Sequence, residues 1–398
     1  MTLGHRHVGD AGLPSAPAVR RTVVAVLVPL IAATVAGLVL LWPRGDLPEV
    51  EGAQRSNATI LEIDACAEQV EEAGECREAR VRVESGADEG ALVTVPVPFG
   101  SGAPDFEAGD EVVLGAVADA PLESRYELVD FQRETPLLLL AVAFGLAVVV
   151  LSRWRGLAAL AGLGISVVVL VTFVLPALLD GRPPLAVAVI GASAIMISTL
   201  YLAHGVSLRT SVALLGTLLS LTLTGLLGLA FTEAGQFTGL VGEDALYLGA
   251  VGDNLDLHGL LLAGLVIGAL GVLDDVTVTQ TAAVWELAAA DPETSRRSLF
   301  AAGLRIGREH VSAAVNTLVL AYAGASLPLL MLFAVSGQGV LDTITNELVA
   351  QEVVRALVGG LGIVAAVPIT TVIAALAVRE RPRRVRGRRA RAAVEVST

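Results

Sequence analysis

Two adjacent carboxylates, Asp274 and Asp275, stand inside an otherwise apolar run, LHGLLLAGLVIGALGVLDDVTVTQTAAVWEL, over residues 257–287. Acids at membrane depth are costly, so they face a bundle interior or an aqueous path, where a desolvated carboxyl is suited to proton exchange. Asp275 continues a helical series through Gly264, Gly268, Gly271, Thr279 and Glu286. Gly264 and Gly268 make a G-x-x-x-G pair that admits another helix backbone. This spacing predicts Asp275 toward the bundle interior and Asp274, rotated by about 100°, nearer the rim. A competing reading keeps one aspartate as a helix cap, with the next helix starting over Val276–Thr279. Asp274 would stand roughly 25 Å along a helix starting at Leu257, close to the far side of a hydrocarbon core of about 30 Å.

Other polar groups could join them. Glu309, His310 and Asn316 open a later apolar run, and Glu309, Ala313 and Asn316 share a helical face. Together with Asp274, Asp275, Thr277, Thr279 and Gln280 they form the candidate transport site, approached from one side of the bilayer. The plainer account has Asn316 bonded to a neighbouring helix. Asp253, Asn254, Asp256 and His258 make an oxygen-rich cluster that suits a hard cation, with His inviting a transition metal. Their spacing matches no Ca²⁺ loop, and helix capping with solvation is the plainer account. Glu352 and Arg355 read as a local i,i+3 ion pair.

Catalysis has little support. No G-x-S-x-G, H-E-x-x-H or phosphate-cradling glycine loop occurs. Adjacent aspartates do not suit intramembrane proteolysis, which needs two on facing helices. The expectation is no enzyme and no cofactor, with His5 and His7 merely solvated.

The elements that must position these residues are membrane helices. The 398 residues are 54% hydrophobic, with mean hydropathy +0.71, which excludes an ordinary soluble domain. Apolar runs at 22–41, 136–151, 156–179, 185–202, 210–231, 257–273, 311–334 and 353–378 predict eight spans. The first follows Arg20 and Arg21, offers no small-x-small cleavage site, and reads as an uncleaved anchor over 22–42. Arginines cluster at Arg6–Arg21, Arg153–Arg155, Arg209, Arg296–Arg308 and Arg379–Arg391. With eight spans, all these clusters fall on the cytoplasmic side of a cell membrane, as do both termini (1–21 and 380–398).

The net charge of −13 is unevenly spread. Residues 43–134 hold 22 acids against 7 arginines, and the rest of the chain is nearly neutral. That acidic segment contains five short runs, 57–64, 79–85, 91–97, 111–118 and 125–131, bounded by turn residues. They predict a small extracytoplasmic β-rich barrel, with the OB type as the candidate. A charge of this sign repels phosphates, so no nucleic acid is expected. Cys66 and Cys76, the only cysteines, suit a disulfide in an oxidising compartment, with free thiols or a metal pair as alternatives. The tail RERPRRVRGRRAR reads as solvated and drawn to anionic lipid. No internal repeat is evident.

Four blocks carry a resemblance: LHGLLLAGLVIGALGVLDDVTVTQ at 257–280, SLFAAGLRIGREHVSAAVNTLVLAYAGASLPLL at 298–330, 351–371 ending in VPITT, and FQRETPLLLL at 131–140. In these the chain resembles the YibE/F-like family of bacterial multi-pass membrane proteins. The resemblance implies a small external β-rich domain and a helical body over 135–379, but names no substrate. The expected function is transport of a small ion or polar solute with proton coupling. The alternative is a non-transporting envelope scaffold whose external domain binds a partner. Self-association stays open.

Overall fold

The computed structural model describes residues 17–45, 54–66, 76–100, 102–117, 120–242, 245–247, 249, 255–337 and 339–378. The amino-terminal segment, the insert between the cysteines, Asp253, Asn254 and the basic tail lie outside them. The chain divides into two units: Glu49–Gly156, and Met1–Pro48 with Leu157–Thr398. Helix accounts for 71% of the structure.

Each of the five alternating runs forms a strand: β1 (Gln54–Ala65), β2 (Arg77–Val83), β3 (Leu92–Pro96), β4 (Glu111–Ala116) and β5 (Tyr126–Phe131). Successive side chains point to opposite faces, so alternation buries one row and exposes the other. In β2, Ala79, Val81 and Val83 are buried while Glu78, Arg80 and Arg82 are outside. All pairings are antiparallel, in the order β3-β2-β1-β4-β5. The twelve-residue β1 serves two neighbours, pairing with β4 through Gln54–Thr59 and with β2 through Ala58–Ala65. A register shift between Ile60 and Glu62 bends it, as bulges do. The outer strands β3 and β5 approach each other, so the sheet curls around Ile60, Phe106 and Leu114. Gly86 (φ 99°) makes the turn after β2, where a Cβ would lie 2.7 Å from the Ser56 hydroxyl. Cys66 and Cys76, at the facing ends of β1 and β2, are joined as a disulfide with Cα atoms 5.5 Å apart.

α1 (Pro17–Leu40) is apolar throughout, apart from two arginines and two threonines. Just past its end, the backbone N–H groups of Arg44 and Gly45 donate to the two carboxylate oxygens of Asp180 at 3.2 Å each. Arg182 pairs with the same carboxylate at 3.0 Å. These bonds, the Arg44 amide foremost, hold the Asp180 carboxyl below its ordinary range. Trp42 stacks near Phe173, ring centroids 5.9 Å apart.

The runs expected at 136–151 and 156–179 belong to one helical stretch. It comprises α2 (Glu134–Val169), a π-helical turn over Leu170–Val174, and α3 (Leu175–Leu179). The stretch is interrupted at Arg153, where φ is 52° and ψ is −129°. There the backbone of Gly156 packs so closely on the Val148 carbonyl that a Cβ would come within 2.5 Å. The remaining helices are α4 (Pro184–His204), α5 (Leu208–Ala234), α6 (Leu257–Ala290), α7 (Arg296–Ala325), α8 (Leu327–Val335), α9 (Val340–Thr345) and α10 (Glu347–Ala377).

Among the described residues, six helices are long and apolar enough to cross a membrane. The bent pair α7–α8, with 60° between its members, makes a seventh. The expected eight counted residues 134–179 twice; here they count once, although a straight helix of 46 residues would be about 69 Å long. α5, α6 and α10 pack mutually, with α7 against α6 and α10, and α4 against α6.

Candidate functional site

The apolar centre of the bundle holds a set of buried polar groups, most of them hydroxyls. On α5, Thr217, Ser220, Thr224 and Thr232 are fully buried. Each donates to the carbonyl four residues earlier in its own helix, at 2.8–3.0 Å. That back-bonding satisfies the donor without a partner helix, so a hydroxyl can enter an apolar core cheaply. Small residues on the facing helices bring these groups together. A Cβ at Gly362 of α10 would strike the Thr224 hydroxyl, and one at Gly216 of α5 would lie 2.4 Å from that of Thr370 on α10.

α6 supplies the other half. Thr277 meets Thr217 at 2.5 Å, hydroxyl to hydroxyl. Gln280, 2% exposed, donates to the Gly303 carbonyl of α7 at 2.8 Å and to the Thr371 hydroxyl of α10 at 2.7 Å. One amide thus ties three helices. Gly303 and Gly307 make room for it, because a Cβ on either would crowd Gln280. Three buried side-chain oxygens here have no hydrogen-bond partner among the described residues: Asp274 Oδ1, Thr281 Oγ1 and Thr370 Oγ1.

Asp274 and Asp275 are arranged opposite to the expectation. Asp274 is turned partly inward, on the same helical side as the buried Thr277 and Thr281. Asp275 is exposed, together with Gly264, Gly268, Gly271 and Glu286, while Thr279 is half-buried. The inward side of α6 is set by Val266, Leu270, Leu273, Thr277 and Gln280, which fill the space against α4, α5 and α10. The glycine row instead receives the side chains of Tyr322 and Arg355. Neither aspartate caps a helix, because α6 runs unbroken from Leu257 to Ala290.

The other expected members do not assemble with them. Glu309, His310 and Asn316 lie on the exposed side of α7. Among the described residues, no hydrogen bond or ion pair joins them to Asp274 or Asp275. α7 itself begins fifteen residues before the apolar run expected from Val311, capped by the Ser295 hydroxyl on the Ser298 N–H.

Of the metal candidates, Asp253 lies outside the described residues. Asp256 caps α6 by accepting from the Gly259 N–H at 2.8 Å. His258 Nδ1 meets the Phe237 carbonyl at 2.8 Å. Both are occupied in shaping the start of α6, and no cluster of three or more metal-ligating side chains occurs among the described residues.

The hydroxyl face of α5 escaped the reading of the sequence, although its signal is there. LGTLLSLTLTGLLGLAFT carries Thr217, Ser220, Thr224 and Thr232 at intervals of three, four and eight. Hydropathy ranks such residues as near-neutral filler within an apolar run, which hides the periodicity.

Long apolar helices packed around a buried polar centre define a multi-pass helical membrane protein. The family model described as YibE/F-like protein matches residues 140–380. The chain belongs to the YibE/F-like family. No curated protein and no solved structure matches it.

Proposed function

We propose that the helical body moves a small ion or polar solute across a cell membrane, with proton exchange at Asp274. The observation that carries this reading is the Asp274 carboxyl oxygen, buried without a partner on the side of α6 that bears Thr277 and Thr281. The buried hydroxyls of Thr217, Ser220, Thr224 and Thr232 on α5, and of Thr371 on α10, bond their own helix. An acid left unpaired in such a place is costly to keep, and a passing proton or solute would supply what it lacks. Asp275 is not part of this centre.

In the same reading, residues 134–179 cross twice, folding back at Arg153, which gives eight spans. Both termini then lie in the cytoplasm with the arginine clusters, and the basic tail meets anionic lipid. The acidic sheet unit is extracytoplasmic and of OB type; the approach of β3 to β5 supports a closed order 1-2-3-5-4. A cysteine introduced at Glu89 in its β2–β3 turn should react with an impermeant thiol reagent in intact cells.

Flux of a panel of ions and small solutes, compared between cells with and without the protein, tests the proposal. Asp274→Asn should abolish proton-coupled flux at normal membrane abundance, while Asp275→Asn should keep most of it. Unchanged flux in Asp274→Asn would sink the proton site. If no solute distinguishes the two cell types, the body is an anchor and the sheet unit the working part.

A further inference from the structure

α7 packs inward along one stripe and leaves the opposite stripe bare. Leu299, Gly303, Gly307 and Leu318 are its buried residues, and a Cβ on either glycine would meet side chains of α6 and α10. On the other side stand Arg305, Glu309, Ser312, Asn316, Val319 and Ala323, all exposed. Their spacing alternates four and three residues without a break. That is the repeat of a seam between two helices.

The chemistry of this stripe does not suit lipid. Outward positions elsewhere in the body are apolar, as at Val167 of α2, Leu226 of α5 and Leu361 of α10. The exposed hydroxyls of Thr172 and Thr222 each bond the carbonyl four residues earlier at 2.8 Å. Thr317 of α7 does the same at 3.0 Å. Asn316 has no such escape. Its amide carries two N–H donors and an acceptor oxygen, and none is hydrogen-bonded among the described residues. It lies six residues past His310, about 9 Å along the helix, and no charged residue follows before Asp342. An amide left bare in hydrocarbon is costly.

We propose that this seam docks against α7 of a second copy of the chain, making a two-fold symmetric dimer in the membrane. Two-fold symmetry sets each residue at the crossing opposite its own counterpart. An amide both donates and accepts, so Asn316 and its counterpart satisfy each other. One asparagine in a packed seam also fixes the register. Ser312 and Ala323 are small and let the two backbones close on either side of it. Nearer the start of α7, Arg305 and Glu309 are one turn apart, and neither makes an ion pair among the described residues. In a parallel pair each Arg305 comes beside the Glu309 of the other copy. This self-complementarity of amide and charge selects a second copy as the occupant. The dimer depends on neither Asp274 nor transport.

Two differently tagged forms of the full-length protein should be co-expressed with a single added cysteine and oxidised in native membranes. Cys66 and Cys76 are already joined, so the introduced thiol is the one that reacts. Asn316→Cys, Val319→Cys and Ala323→Cys should each give a disulfide-linked dimer carrying both tags. Ala321→Cys is exposed on the same helix but about 140° round from Asn316, and should give none. Asn316→Leu keeps the volume and loses the amide. Energy transfer between labelled copies in phosphatidylcholine vesicles should then report association about tenfold weaker. Asn316→Gln should recover most of it. Cross-linking at Ala321 equal to that at the seam, or none at any seam position, would overturn the proposal. So would seam cross-links to some other protein alone, or association unaffected by Asn316→Leu.

Discussion

The sheet unit and the helical bundle both bury apolar side chains, but the bundle buries a set of hydroxyls among them, for one reason. Within the sheet, the core of Ala58, Ile60, Val81, Val83, Val95, Leu114 and their neighbours is apolar, and the charges stand outside. Within the bundle, Thr217, Ser220, Thr224, Thr277 and Thr371 are buried, while Val167, Leu219 and Leu226 are exposed. A strand spends its backbone carbonyls on its neighbours and has none to offer its own side chains. A helix keeps a second lone pair on each carbonyl, four residues back, for a Ser or Thr to use. Polar interiors are therefore cheap in helices and expensive in sheets.

The largest effect expected from this comparison is at Gln280. Gln280→Ala removes two bonds that join three helices and leaves a cavity, which should cost about 3 kcal/mol. Loss of hydrogen-exchange protection across α7 and α10 would register it. Protection unchanged in both helices would mean that the amide is incidental.

A matched pair of substitutions tests the contrast directly. Val81→Thr and Val266→Thr each place a hydroxyl at a fully buried valine. In β2 the hydroxyl has no spare acceptor, so the loss should be about 2 kcal/mol. In α6 it can bond the Leu262 carbonyl, and about 0.5 kcal/mol is expected. Hydrogen exchange read separately in β2 and α6 compares them within one protein. Equal losses would break the argument.

The smallest effect concerns pH in the sheet unit. Asp88 accepts from the Tyr126 hydroxyl at 2.8 Å and from Arg125 at 2.6 Å. These bonds, Tyr126 first, hold its carboxyl below the ordinary value. A lowered folded pKa gives stability that is present above the unfolded value, near 4, and is lost as pH falls through the folded one. Exchange at the β4–β5 amides should therefore accelerate below about pH 4. Asp88→Asn should flatten that dependence, and the same acid sensitivity in the variant would assign it elsewhere.

How far the sequence could be read follows the same physics. All five strands were legible because water on one side of a sheet enforces alternation. Helices of the body were legible as apolar runs, but their limits were not. Hydropathy stops at charges, whereas α6 continues past Asp274 and Asp275, and α7 begins at Arg296. The facing of α6 was misread because glycine periodicity was taken for the side toward the bundle. Those glycines accommodate Tyr322 and Arg355 on the outer side, and the hydroxyl row with Gln280 marks the inner one. Helix packing, which no single helix encodes, decides between the two.

The clasp of Asp180 on the amides of Arg44 and Gly45 carries a consequence for synthesis on the ribosome. Its two halves are 136 residues apart in the chain, with every strand of the sheet between them. At roughly 5–20 residues per second, α1 waits about seven to twenty-seven seconds for the residue that fastens it. Over that interval the acidic segment is already being made, so its disulfide and sheet can form before the first helix is locked. The order of biogenesis is written into which carboxylate holds which amides.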